Sequence, residues 1–412
     1  MKVLMLASYV TINSRSKYTR NRTGFGYMVY DIARGVAQKE NVEMLLSDTR
    51  DTAFSQDGIR FLPRSYGLFL RYLWQCVSIG VVFGMWRKYH IGKGDMARLF
   101  YYWLASGYYR HIIRTGGYDI VHIHGCRFST ELWIRICQQE KQKFVVTLHG
   151  LNSFADSVSI GAAGRKHERE FLQRVADKEF PITVISTGMK KVVEKEYAIQ
   201  DGGNISVVCN AFSFPQGGNN NFDVRQKYGI PEEAKVVLYV GNVSKNKNQK
   251  QIIDAFGLLE KEIASNVYIL FLGGQLDTTY TVDILTRNHP YKEHIIAAGF
   301  IDKLLLPNYY AQADAVSLMS ISEGFGLSLI EGMHFGLPCM CFDDIDAFED
   351  IYTPDAVVGV PEHTDASAAK GLMELLTRHW DKEAIQEAST RFELGTMADK
   401  YIQVYHKILA NG

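Results

Sequence analysis

The feature that most constrains this 412-residue chain is a repeated alternation of two patterns. Short apolar runs rich in β-branched residues recur at Val3–Leu6, Val42–Leu46, Ile120–Ile123, Phe144–Leu148 and Ile182–Ile185. They return at Val236–Val240, Val267–Leu272, Ile295–Ala298, Ala315–Met319 and Pro338–Phe342. Longer stretches with helical spacing separate them, among them Tyr27–Gln38, Arg165–Ala176, Gln249–Leu259, Leu327–Phe335 and Leu394–Leu409. Strands that are apolar on both faces and alternate with helices predict parallel sheets covered on both sides. The length exceeds one ordinary core, and two such sheets predict two Rossmann-like α/β domains. Asn210–Phe222, with one Pro, two Gly, four Asn and no charge, reads as the linker between them.

Composition excludes several classes. Apolar residues make up 47% and charged residues 22%, which rules out a disordered or disulfide-scaffold chain. The net charge is zero, which disfavours a nucleic-acid partner. That zero hides an asymmetry: residues 1–205 carry 29 Lys/Arg against 18 Asp/Glu, and residues 206–412 carry 16 against 27. A basic first half suits an anionic surface or a phosphorylated ligand, and two solvated domains of opposite sign explain the same numbers. The six cysteines show no metal-ligand spacing and read as thiols of a reducing cytosol. The N-terminal run reads as a first strand, not a signal peptide, so a cytoplasmic location is expected.

The longest apolar stretch, Leu73–Trp86, is fourteen residues long, short of the ~20 that cross a bilayer. Its flanks carry Arg71, Arg87 and Lys88, with Tyr72, Trp74 and Trp86 near the ends. A peripheral membrane contact and a buried core helix both account for it.

Open α/β sheets bind ligands beyond the carboxyl ends of their strands, so the loops there carry the chemistry. The stretch Ser322-Glu323-Gly324-Phe325-Gly326-Leu327 follows a strand and opens a helix, with Glu331 inside that helix. Glycines admit a ligand close to the backbone, helix-start amides favour phosphate, and carboxylates accept paired hydrogen bonds from vicinal hydroxyls. A second strand-to-helix turn, Gly241-Asn242-Val243-Ser244-Lys245-Asn246-Lys247, is rich in lysine and asparagine and suits a diphosphate.

These stretches resemble the GT-B glycosyltransferases, most closely the retaining family 4 (group 1) type. Glu323 and Glu331 match its E-x7-E motif, Leu238–Lys247 its phosphate loop, and Gly336-Leu337-Pro338 the turn after the motif helix. Ala298-Gly299-Phe300 and Leu306–Asp314 match the segment before the motif strand; Tyr118–His124 and Val145–Gly150 match two strands of the first domain. The resemblance covers nearly the whole chain and implies two Rossmann-like domains facing across a cleft. It implies an acceptor domain over 1–205, a nucleotide-sugar domain over 206–390, and a C-terminal helix over 391–412 packing back toward the first.

The resemblance also implies site roles. Glu323, His149 and Lys247 are the expected catalytic residues. Asn242, Lys245, Lys247, Phe300, Glu323, Gly324, Phe325, Gly326, Leu327 and Glu331 are expected on the donor, with Gly24, Phe25 and Gly26 meeting it from the first domain. The family's usual arginine is replaced by Asn242, which cannot supply a guanidinium charge. The basic loop Arg15, Lys17, Arg20, Arg22 is expected to contact the acceptor. Asp344-Ile345-Asp346 reads as a polar loop, and no metal or other cofactor is expected. The implied activity is retaining transfer of a hexosyl group from a nucleotide diphosphate sugar, UDP first in expectation. Its acceptor is a glycan or lipid-linked saccharide of cell-surface polysaccharide assembly. A sugar-nucleotide isomerase or phosphorylase, and a non-catalytic nucleotide-sugar binding subunit, remain alternatives. An NAD-type oxidoreductase does not fit, because no G-x-G-x-x-G follows Val3–Leu6.

Overall fold

A computed structural model describes residues 1–19, 23–154, 161–200, 202, 204–214, 222–275, 277–286 and 288–410. Arg20, Arg22 and residues 215–221 of the expected linker lie outside the described residues. The chain divides into two compact units, Met1–Cys209 with Leu394–Gly412, and Asn210–Glu393.

The first unit holds eight strands: β1 (Lys2–Ala7), β2 (Asn41–Leu46), β3 (Phe54–Gln56), β4 (Ile59–Phe61), β5 (Ile120–His124), β6 (Phe144–Leu148), β7 (Ile182–Val184) and β8 (Ile205–Val207). Their order is β3-β4-β2-β1-β5-β6-β7-β8. All pairings are parallel except β3 with β4. That hairpin turns on Asp57 and Gly58, both at positive φ, the two-residue geometry an Asp-Gly pair favours. β1 is buried on both faces from Val3 to Ala7, as a central strand covered by helices must be.

Helix α1 (Gly24–Ala37) follows β1 and begins at Gly24, ahead of the Tyr27 start that the spacing predicts, so Gly24-Phe25-Gly26 is its first turn. Thr23 caps the helix by accepting from the Gly26 amide at 3.3 Å. A Cβ on Gly26 would stand 2.3 Å from Thr11 Oγ1, so the close approach of helix and loop requires glycine here.

The apolar stretch Leu73–Trp86 is not one buried helix. Helix α2 (Tyr66–Arg71), a 3-10 turn at Leu73–Gln75 and helix α3 (Ile79–Tyr89) divide the region, and all three pack on the long helix α4 (Lys93–Thr115). No helix among the described residues is long and apolar enough to cross a membrane. All six cysteines are free, and Cys137, Cys339 and Cys341 are buried.

The C-terminal helix Leu394–Ala410 belongs to the first unit and lies against α1. It is held by a buried polar chain. Tyr405 Oη bonds His122 Nδ1 at 2.7 Å, and His122 Nε2 bonds Thr147 Oγ1 at 2.6 Å. Burial lowers the His122 pKa to about 3, so the ring is a neutral link between helix and sheet.

The second unit holds β9 (Lys235–Val240), β10 (Val267–Leu272), β11 (Ile295–Gly299), β12 (Ala315–Leu318), β13 (Cys339–Phe342) and β14 (Val357–Val360). The order is β11-β10-β9-β12-β13-β14, parallel throughout. The order reverses between β9 and β12, the position where open α/β sheets form a ligand crevice.

Tyr405→Phe keeps the ring packing and strands His122 Nδ1 in the core. A loss of about 1–2 kcal/mol in denaturant unfolding is expected; an unchanged midpoint would show that the contact holds nothing.

Candidate functional site

The two loops singled out in the second unit leave adjacent strands at the switch point, and they are bonded to each other. The Ile321 amide donates to the Asn246 carbonyl at 2.8 Å, and Asn246 Nδ2 donates to the Ser322 carbonyl at 3.0 Å. Beneath them Tyr239 of β9, fully buried, accepts from the Met319 amide at 2.9 Å and donates to the Lys247 carbonyl. One phenol thus fixes the ends of both loops. Gln249, also fully buried, donates from Nε2 to the Asn242 carbonyl at 3.1 Å and accepts from the Ser244 amide at 3.3 Å. The lysine-bearing turn is therefore held by its backbone while Asn242 and Lys245 stay exposed.

This frame brings Lys247 Nζ onto Glu323 Oε2 as an ion pair, with the side chains 24% and 18% exposed. Ser320 Oγ donates to the same carboxylate oxygen at 3.5 Å. Gly326 then caps the helix Leu327–His334 in the left-handed region at φ 85°, ψ 55°, a conformation open to glycine at no steric cost. Phe325 is buried and meets Phe392 edge-on at 5.9 Å, so it anchors the loop through its ring and leaves only its backbone for a ligand. Glu331 lies in that helix, 8% exposed, and accepts from Tyr310 Oη at 2.7 Å. Asn242, Lys245 and Phe300 are exposed, Phe300 just past β11.

Asp346, read from the sequence only as part of a polar loop, is also a member of this site. Its amide donates to the Glu323 carbonyl at 3.2 Å, which ties the loop after β13 to the other two. Burial, then the Glu323 charge, then Asp344 raise its carboxyl pKa to about 6. Asp344 instead faces outward and meets His363 Nε2 at 2.9 Å. The pair of aspartates thus diverges, and no group of three or more metal-binding side chains occurs among the described residues. The sequence marks the segment as polar, but nothing in it shows that the Asp346 backbone bonds the Glu323 loop.

In the first unit, His149 follows β6 at its carboxyl end. Its Nε2 lies 3.2 Å from His124 Nδ1, and Phe25 meets the ring edge-on at 5.0 Å. Burial lowers the His149 pKa to about 4, so the imidazole is neutral near pH 7 and offers hydrogen bonds, not charge. A cleft of about 420 Å³ opens beyond β1 and β2, with Tyr9, Lys17, Tyr18, Asp48 and Arg50 among its walls. Lys17 pairs with Asp51 at 2.8 Å; Arg15 bonds Gln56 at 2.9 Å and covers the Phe54 ring at 3.7 Å. Both described members of the basic loop are thus engaged with their own unit.

Residues 220–392, nearly the whole second unit, match the family model described as glycosyl transferases group 1. It is 22% identical over 302 residues to an uncharacterized 41.2 kDa protein in the cps region of Klebsiella pneumoniae, covering 70% of this chain and 78% of that one. It is 23% identical over 250 residues to the alpha-monoglucosyldiacylglycerol synthase of Acholeplasma laidlawii, covering 56% of this chain and 60% of that enzyme. The chain thus spans about three fifths of the latter's length. Among solved structures, Anabaena HepE in complex with UDP-glucose superposes with a TM-score of 0.63 at 15% identity, over 99% of this chain and 100% of that one. The fold is that of the GT-B glycosyltransferases.

Asp346 gives a pH test with a definite sign. Its raised pKa means stability present below about pH 4 and lost as pH rises through about 6. Asp346→Asn is expected to raise stability by ~1–2 kcal/mol at pH 7.5 and by little at pH 4, read by thermal unfolding at both. Equal shifts at the two pH values would contradict the buried-carboxylate account.

Proposed function

We propose that this protein transfers a hexosyl group, with retention, from a UDP-sugar to a hydroxyl of a glycan or lipid-linked saccharide in cell-surface polysaccharide assembly. The observation that carries the reading is the Lys247–Glu323 pair at the switch point of the second sheet, beside a glycine-capped helix start. The UDP-glucose in the Anabaena structure supports the choice of nucleotide, and the cps-region relative supports the choice of product class.

On this reading the pair is a resting state. A diphosphate offers the Lys247 ammonium a more highly charged partner than one carboxylate, and Lys247 moves to it with Lys245 alongside. Glu323, released, accepts hydrogen bonds from hydroxyls of the donor sugar. Amides at Gly326 and Leu327 add to the anion site, and Glu331 serves the ribose. The bond from the anomeric carbon to the diphosphate oxygen breaks, and the bond to the acceptor oxygen forms on the same face. The acceptor proton passes to the departing diphosphate, which leaves as UDP. Charge growing on that leaving group is met by Lys247, Lys245 and the amides, which is where most of the rate gain arises. We assign no metal or other cofactor to the step. In the first unit, neutral His149 offers hydrogen bonds to hydroxyl groups, and the cleft beyond β1 and β2 receives the acceptor, presented at the inner face of a membrane.

The test is UDP release from a panel of UDP-sugars with a mixed acceptor pool. Glu323→Gln and Lys247→Ala are each expected to lower turnover by about 100-fold or more, with UDP binding retained in Glu323→Gln. Full turnover in Lys247→Ala, or an inverted anomer in the product, would contradict the mechanism. Epimerised donor without acceptor, or binding without turnover in the unaltered protein, would replace it with the isomerase or the binding-subunit reading.

A further inference from the structure

Of the twelve large apolar side chains that stand exposed among the described residues, seven fall between Tyr66 and Trp86: Tyr66, Leu70, Leu73, Trp74, Ile79, Phe83 and Trp86. Trp74 is 78% exposed and Leu70 62%. Single exposed apolar side chains are ordinary, but a run of them is not.

Helix α3 makes the point most sharply. Val82, Met85 and Tyr89 face the unit's core. Ile79, Phe83 and Trp86, at i, i+4 and i+7, line the neighbouring face, about 100° round the helix, and stand exposed where a helix of this kind carries polar residues. Both faces are therefore apolar, and only Arg87 and Lys88, in its last turn, bear charge. α2 repeats the arrangement at smaller scale, with Phe69 buried and Leu70 outward. α2, the 3-10 turn and α3 share one support, α4, so their outer residues belong to one region of the first unit.

Charge decides what covers it. From Gly58 to Gly94 the sequence has six Lys/Arg and no Asp or Glu. Arg71, Arg87 and Lys93 are exposed within or beside the apolar run. A second copy docked through the same patch would bring cation against cation in the two-fold arrangement such contacts adopt. A bilayer carrying anionic headgroups satisfies both features at once, taking tryptophan and phenylalanine rings at the boundary of its acyl chains and cations among its phosphates.

We propose that the surface formed by α2, the Leu73–Gln75 turn and the outer face of α3 docks the protein on an anionic lipid bilayer. The proposal deepens the reading of an acceptor presented at a membrane and rests on it for its purpose, though not for its evidence. Docking would bring the first unit to the surface on which a lipid-linked acceptor lies.

The test uses the full chain in flotation with vesicles of phosphatidylcholine alone or phosphatidylcholine doped with phosphatidylglycerol, alongside intrinsic tryptophan emission. Flotation with the anionic vesicles only, weakened by salt, with a blue-shifted emission, is expected. The triple variant Trp74→Ser/Phe83→Ser/Trp86→Ser and the double variant Arg71→Glu/Arg87→Glu should each weaken vesicle binding by about tenfold or more. Their melting temperatures and UDP release with a water-soluble acceptor should match the unaltered protein, since all five side chains are outward. Failure to float with either vesicle, or flotation untouched by both variants, overturns the proposal. So does a dimer that the triple variant dissociates. Turnover without vesicle binding removes only the docking surface, and vesicle binding without turnover removes only the enzymatic reading.

Discussion

The pairing of Lys247 with Glu323 is the interaction on which the second unit's site depends, because it is made between two loops that leave different strands. A partly exposed ion pair adds little to stability, roughly 0–1 kcal/mol. Its significance is positional. The backbone bond from the Ile321 amide to the Asn246 carbonyl and the buried Tyr239 phenol hold the loops together independently of the charges. The two side chains are therefore brought together by the frame and do not themselves create it. A pair held that way can exchange partners without unfolding anything, as a site that binds and releases a charged ligand requires.

The environments of the two units differ in kind. In the first, the polar groups near the ends of the central strands are histidines stripped of charge by burial: His122, His124 and His149 all have lowered pKa values. They link strands to the C-terminal helix and to each other as neutral hydrogen-bonding rings. In the second, ammonium and carboxylate groups sit over the switch point, with Asp346 adding a second acid close to Glu323. A neutral hydrogen-bonding surface suits hydroxyl groups; a charged one suits a diphosphate.

Much of this architecture is legible in the amino-acid sequence, for a physical reason. Strands buried on both faces must be apolar throughout, so the central strands from Val3 and from Val236 announce themselves. Three short strands do not: β3, β4 and β8 are three residues each, too short to show a period. The Asp57-Gly58 turn between β3 and β4 is a local hairpin signal, but flanking strands this short give it no pattern to join. The glycine-flanked acids and the lysine turn are legible because their chemistry is local to each loop. Which side chains meet is not, since the approach of Asp346 to Glu323 depends on how the loop after β13 folds back. The run Leu73–Trp86 is ambiguous for the opposite reason. Apolarity alone does not separate a helix surrounded by protein from one with an apolar outer face, and only the exposure of Trp74, Phe83 and Trp86 separates them.

The most direct test of the central claim is a crystal structure of the protein with an intact UDP-sugar bound. The account requires Lys247 Nζ to have left Glu323 for a diphosphate oxygen at hydrogen-bond distance, with the Glu323 carboxylate on hydroxyls of the sugar. A complex in which the donor occupies another pocket while Lys247 and Glu323 remain paired would contradict it.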